Sequence, residues 1–173
     1  MNLNILYARL GIVFLVQTGH YAEHVTQLIQ IYSQHVTPAQ AHGLLGTLFD
    51  FEWVHFVYNV GLEIMVIVLW LAYRRRWRTA PPAVPWGPTL LTSLMLFQGY
   101  HSIEHIVKVY QYLFVPTYQT GLWVPPGILP YLSGWPIFLV HFWLNTPVWF
   151  ALLAALWFLR PKQPTRRRAT LEV

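Results

Sequence analysis

The chain has 173 residues, of which 55% are apolar, 17% aromatic and only 10% charged. This composition excludes an ordinary water-soluble domain and indicates an integral membrane protein. Because there is no cysteine, disulfides, iron–sulfur clusters and thiolate ligands are also excluded, and any metal ion must be held by nitrogen and oxygen atoms.

Four apolar segments are each close to the ~20 residues that cross a bilayer as a helix. We predict helices over residues 7–34, 51–73, 88–113 and 136–159. The fold class expected is therefore an all-α integral membrane protein, with four transmembrane helices bundled into a single membrane domain that takes in the whole chain. The apolar start is predicted to be a retained helix and not a cleaved signal, because it runs directly into a polar motif.

The first predicted helix carries the string HYAEH at residues 20–24, and the third carries HSIEH at residues 101–105. An ionisable group near the bilayer centre costs roughly 2.5–3.5 kcal/mol, so these side chains need partners. Histidines four residues apart on a helix lie one above the other, which is a spacing suited to binding one cation. A carboxylate one residue away, Glu23 or Glu104, can ligate or bridge.

The second and fourth predicted helices each place a histidine near their start and an asparagine one turn later. These pairs are His55 with Asn59, and His141 with Asn145. Both histidines fall at the end of the bundle where the two motifs lie, so we expect all of them at one depth. Glu63, one turn after Asn59, has no counterpart on the fourth helix. We predict it as a catalytic residue that handles substrate, a water molecule or a proton.

Arginines follow the second and fourth predicted helices, at residues 74–78 and 160–168. Because cytoplasmic loops are rich in Lys and Arg, both termini and a basic tail at 161–173 are expected in the cytoplasm. The connections 33–50 and 114–135 carry neither residue and should face outward. Such clusters are typical of segments beside a membrane, so lipids and not nucleic acid are the expected partners. The predicted location is a bacterial inner (plasma) membrane, which the chain crosses several times.

Polar positions recur along the chain at one constant offset. This pattern predicts two tandem two-helix repeats, 5–78 and 86–160, related by an axis along the membrane normal. Gln17, His20, Glu23, His24 and Gln30 match Gln98, His101, Glu104, His105 and Gln111.

At ~100° per residue, the polar side chains of each helix share one face, so four polar stripes should converge in the outward half of the bilayer. We predict a dinuclear non-haem site there, with iron as the first choice of metal and zinc, manganese or copper as alternatives. The predicted ligands are His20, Glu23, His24, His55, His101, Glu104, His105 and His141. The nearby amides are predicted to orient these ligands: Gln17, Gln98, Asn59 and Asn145.

The outward loop holds two further histidines, His35 and His42. They are predicted to lie outside the ligand set and to guard an access path. Thr37 and Pro38 between them are typical of the cap and first residue of a short helix.

The function predicted from this pattern is a metal-dependent oxidoreductase acting on an apolar or membrane-borne substrate such as a quinone. It would act alone, as a homo-oligomer or as a subunit of a membrane complex. The first alternative is an electron-transfer or pigment subunit that binds haem b or a (bacterio)chlorophyll. Further alternatives are an ion or proton pathway and a membrane metallohydrolase, since His-x-x-Glu-His resembles the inverted zinc-protease motif, in which Glu is the general base.

Overall fold

The computed structural model describes residues 2–46, 52–79, 82, 84–119 and 124–161, and all regular elements within them are helical. The predicted all-α class is therefore confirmed. The 3₁₀ turn Pro38–Gln40 accompanies the α-helices. The α-helices are α1 (Leu3–Tyr32), α2 (Glu52–Trp77), α3 (Gly87–Phe114), α4 (Pro116–Gln119), α5 (Leu129–Ser133) and α6 (Ile137–Phe158).

The four long helices lie within a few residues of their predicted bounds. The largest difference at a start is in α1, which begins earlier because the Asn2 side chain accepts a hydrogen bond from the Asn4 N–H and caps the helix. α2 continues through its arginines to Trp77, and cations in a last turn stabilise the helix dipole. The short turn after Thr37 begins at Pro38, as predicted. The short helices α4 and α5 were not predicted.

The long helices surround one interior in the order α1, α2, α3, α6, with neighbours in contact. α1 and α6 run antiparallel. The Tyr7 hydroxyl, near the start of α1, donates to the Leu156 carbonyl near the end of α6 (3.1 Å). Further along α1, Tyr21 stacks on Phe142 near the start of α6. α2 pairs in the same antiparallel way with α1 and with α3. Successive long helices alternate in direction, which brings the starts of α2 and α6 level with the later halves of α1 and α3.

The interior is divided into two zones. We call the end where α2 terminates in Arg74–Arg76 the arginine end, and the opposite end the histidine end. Leucine and valine from all four helices fill the arginine half, including Leu10, Leu69 and Leu152. Buried polar side chains fill the histidine half. They are Gln17, His20, His24, Asn59, Gln98, His101, Ser102, Glu104, His105, Lys108, His141 and Asn145.

Within the described residues, two helices are long and apolar enough to cross a membrane by length and composition: α2 and α6. α1 and α3 are longer, at 30 and 28 residues, but they do not meet the same criterion. Their histidines and glutamines face the interior and lower the apolarity of the helix as a whole. The four-span arrangement predicted from the sequence goes beyond this finding.

Candidate metal centre

Both histidine pairs direct the same nitrogen atom toward each other. The Nε2 atoms of His20 and His24 are 3.2 Å apart, and those of His101 and His105 are 3.3 Å apart. Two nitrogen ligands bound at ~2.0–2.1 Å to a tetrahedral ion lie about 3.3–3.4 Å from each other. Each helix therefore presents two imidazoles at the separation that a shared ion requires.

A third histidine from a neighbouring helix completes each pair. In each group, one ligand atom per residue lies within 4.8 Å of the other two. The first triad is His20, His24 and His55, and the second triad is His101, His105 and His141. All six predicted histidines are thus brought together, in two groups of three.

The two triads are adjacent and form one cluster of rings. The centroids of His55 and His105 are 5.8 Å apart with nearly parallel planes, and those of His24 and His141 are 5.5 Å apart. An ion held in each triad would therefore have the other as a close neighbour.

Acceptor oxygens behind the rings define which nitrogen faces the interior. The Nδ1 of His24 lies 3.0 Å from the Gln27 Oε1, and the Nδ1 of His105 lies 2.8 Å from the Glu52 Oε1. With the proton on Nδ1 donated to these oxygens, the Nε2 lone pair points into the triad. Such partners orient metal-binding histidines and raise their basicity.

Lys108 is a component of the site that sequence reasoning missed. Its ammonium group contacts Glu52 Oε2, and the residue is only 3% exposed. It occupies the position on α3 that Gln27 holds on α1. In the first triad the Gln27 amide lies behind the His24 ring, whereas in the second triad the ion pair of Glu52 and Lys108 lies behind the His105 ring. The signal was present in the sequence, since Lys108 follows His101 by seven residues and so shares its face.

The carboxylate of Glu23 is engaged by the loop after α1. It accepts hydrogen bonds from the backbone N–H groups of Leu44 (2.5 Å) and Leu45 (2.8 Å). Gln30 holds the preceding residue, Gly43, by accepting from its N–H (3.0 Å) and donating to its carbonyl (3.2 Å). Gly43 has φ 73°, and a Cβ there would lie 1.9 Å from the Glu23 Oε2, so only glycine fits.

Glu104 holds the loop after α3 in the same way. Its carboxylate accepts from the N–H groups of Ile128 (2.6 Å) and Leu129 (2.7 Å), at the start of α5. Gln111 accepts from the Gly127 N–H (2.9 Å), and Gly127 has φ 81°. Neither motif glutamate belongs to a triad. The structure therefore places both predicted carboxylate ligands against the loops, while the six histidines converge without them.

Replacing both loop-holding glutamates by glutamine (Glu23→Gln with Glu104→Gln) is expected to leave the metal content unchanged and to loosen both loops. Each change removes charge-assisted hydrogen bonds, which are worth about 1.5–3 kcal/mol each. Hydrogen exchange at Leu44, Leu45, Ile128 and Leu129 measures the loosening. Glu63→Gln is the matched control, because Glu63 packs against α3 at Gly99 and should leave exchange at these four residues unaltered. Loss of metal in the double variant would instead return the glutamates to the ligand set.

The four amides form a layer below the triads. Gln17 Nε2 donates to Asn145 Oδ1 (2.8 Å), and Gln98 Nε2 donates to Asn59 Oδ1 (3.2 Å). Each asparagine also donates to the carbonyl of the histidine one turn before it, at 2.9 Å in both cases. These bonds join α1 to α6 and α3 to α2, so the amides position the histidines through the helix backbones.

The remaining predicted residues lie outside the triads. Glu63 packs against α3 at Gly99, where a Cβ would lie 3.3 Å from its Oε1. Its Oε2 is buried without a hydrogen-bond partner in the described part of the chain. His42 lines a cavity beside the first triad, whereas His35 is exposed with φ 57°.

A cavity of 770 Å³ at the histidine end connects the triads with the space beneath the loops. Glu52, Lys108, His24, His55 and His141 contribute to its lining. The chain matches no protein-family model, no curated protein and no solved structure. The function is therefore inferred from the geometry of the triads and their surroundings.

Proposed function

We propose that this chain is a four-span membrane protein that holds two redox-active metal ions in its adjacent histidine triads. With them it acts as an oxidoreductase on an apolar, membrane-borne substrate such as a quinone. The observation that carries the proposal is the convergence of six imidazoles from four helices into two sets of three, with Nε2 separations of 3.2 and 3.3 Å. Six imidazoles buried together are costly to keep unless they share a partner such as a metal ion.

The distribution of polar and apolar side chains supports four spans. α1 and α3 expose large apolar residues, among them Ile12 (57%), Leu15 (69%), Leu96 (63%) and Ile106 (47%). Their histidines and glutamines face the interior. Apolar exteriors with polar interiors are expected where lipid is the solvent. With the arginine end in the cytoplasm, the triads lie near the outward face of what we take to be a bacterial inner membrane.

The all-imidazole set bears on the choice of metal. The sequence predicts iron because the expected ligand set mixes histidine with glutamate. In the structure, however, the Glu23 and Glu104 carboxylates accept hydrogen bonds from backbone N–H groups of the loops. Six neutral nitrogen donors suit copper and iron, and also zinc. Zinc has no redox chemistry, so an oxidoreductase requires one of the other two. We propose two ions of iron or copper.

The matched contacts of the two halves support the two-repeat organisation. Each half contains a histidine triad and a glutamate that holds a Gly-Leu-Leu or Gly-Ile-Leu loop segment, and the glutamine of each half donates to the asparagine of the other. An ancestral two-helix unit that binds one ion would produce this arrangement by duplication.

The alternatives are less well supported. Haem or chlorophyll would need space for a macrocycle, yet the rings of His105 and His141 are 4.9 Å apart. An ion pathway would need polar groups through the arginine half, where the described interior is a cluster of leucine and valine. A hydrolase of the inverted zinc-protease kind would need a free glutamate beside the metal, and Glu23 and Glu104 bind loops.

Purified protein is expected to contain two iron or copper ions per chain when prepared in mild detergent without chelators. The physical reason is that three imidazoles are a sufficient protein ligand set for one ion. Elemental analysis measures the content, and an absorption spectrum without an intense Soret band separates the site from haem. Less than one ion per chain in careful preparations would contradict the proposal.

A further inference from the structure

A second cavity, of 380 Å³, lies between α1 and α2 and reaches the first triad. Its apolar wall comes from both helices, and His42 and Leu45 of the loop border it. His20 and His55 also contribute to its lining. The wall residues are Leu15, Val16, Gly19, Val54 and Tyr58.

This cavity opens on the outer face of the bundle. Leu15 is 69% exposed, and Gly19 is itself exposed. No heavy atom lies within 4 Å of the position that a Cβ at Gly19 would take. At its inner end the cavity meets His55, which is half-buried, whereas every member of the second triad is buried. Within the described part of the chain, this cavity therefore borders the first triad and not the second.

The second half carries bulky residues at the matching positions. At the constant offset between α1 and α3, Tyr100 corresponds to Gly19 and Phe97 corresponds to Val16. The Tyr100 hydroxyl donates to Glu104 Oε1 (2.7 Å), which lays the ring along α3. A tyrosine side chain thus stands where α1 has only a hydrogen atom.

We propose that the cavity is a lateral portal to the first triad. The molecule that enters by it is a neutral lipid-phase compound with a long hydrocarbon chain and a hydrogen-bonding head. The described lining is mostly apolar, contains no Lys or Arg and includes the Glu23 carboxylate, which argues against an anionic head. Gln27 and His42 provide polar atoms along it. The inference rests on the proposed membrane function and assigns its substrate class. The substrate enters from the bilayer, on one side of the pseudo-symmetric bundle only.

Photolabelling tests the portal. The protein in lipid nanodiscs is irradiated with a long-chain primary alcohol that carries a diazirine at the hydroxyl-bearing end, and labelled peptides are identified by mass spectrometry. Wild-type protein should be labelled at Val54, Tyr58 and neighbouring α1 positions. Gly19→Phe should lose this labelling, because the ring fills the open space beside the helix.

Two further variants make the outcome decisive. Gly11→Phe is the matched control: Gly11 also lies on α1 with no heavy atom within 4 Å of its Cβ position, but it does not line the cavity. It should retain the labelling. Tyr100→Ala should create new labelling between α3 and α6. Equal labelling of both halves in the wild type, or labelling that survives Gly19→Phe, would overturn the portal.

Metal analysis of the same samples separates this inference from the proposed function. Gly19→Phe is expected to retain the wild-type metal content, since it changes access and no ligand. If wild-type protein binds no metal but shows the portal labelling, the oxidoreductase proposal fails and the portal stands. If metal is present and labelling is absent, the portal fails alone.

Discussion

Replacing His24 or His105 by alanine should halve the metal content of the protein. Each histidine supplies one Nε2 atom to one triad, and either change leaves two imidazoles there. Metal sites with three protein ligands lose most of their affinity when one is removed. Elemental analysis of each single variant should give half the wild-type content, and the double variant should give none.

The matched control is His35→Asn. His35 is exposed, lies outside both triads and has φ 57°, a conformation that asparagine tolerates. This variant should keep the full metal content. Loss of all metal from either triad variant would indicate a single shared ion and contradict two sites. An unchanged content in both would remove these histidines from the ligand set.

The second prediction concerns Glu52. Glu52→Leu removes the acceptor behind the His105 ring and leaves the Lys108 ammonium buried without its carboxylate. Loss of such a supporting partner typically lowers metal affinity about 10–100-fold. Breaking a buried ion pair from one side also costs about 3–5 kcal/mol of stability. Chelator competition should therefore show one weakened ion per chain, and thermal unfolding should show a less stable protein.

Two controls separate these effects. The double variant Glu52→Leu with Lys108→Met removes both charges, so stability should recover while the affinity of the second triad stays low. Gln27→Leu makes the matched change behind His24 and should weaken the first triad instead. Equal weakening of both triads by Glu52→Leu would show that the effect is not transmitted through His105.

The helices and the convergence of the histidines were predictable from local rules. A helix has one geometry, so apolar length predicts its extent and a four-residue spacing places His20 above His24 on one face. The common depth of His55 and His141 follows from counting residues from helix starts. Antiparallel packing of consecutive long helices then leaves few ways to arrange the bundle, and the structure shows all six rings together.

The roles of the charged residues were not predictable in this way. Glu23 shares the face of the histidines, so spacing alone makes it a ligand, yet its carboxylate binds amides about twenty residues away in the chain. The pairing of Lys108 with Glu52 joins two helices. Partners of this kind depend on how the loops return to the bundle and on which donors compete for a carboxylate.

By itself, the sequence determined an apolar helical protein with six histidines at one level, because helical periodicity and hydrophobicity act over short stretches of chain. Only the tertiary structure decided that the histidines form two triads without the glutamates, and that an open cavity flanks Gly19 where α3 carries Tyr100. These features depend on distances between helices and loops that are remote in the chain. Such distances follow from packing and from the satisfaction of buried polar groups, which no local pattern encodes.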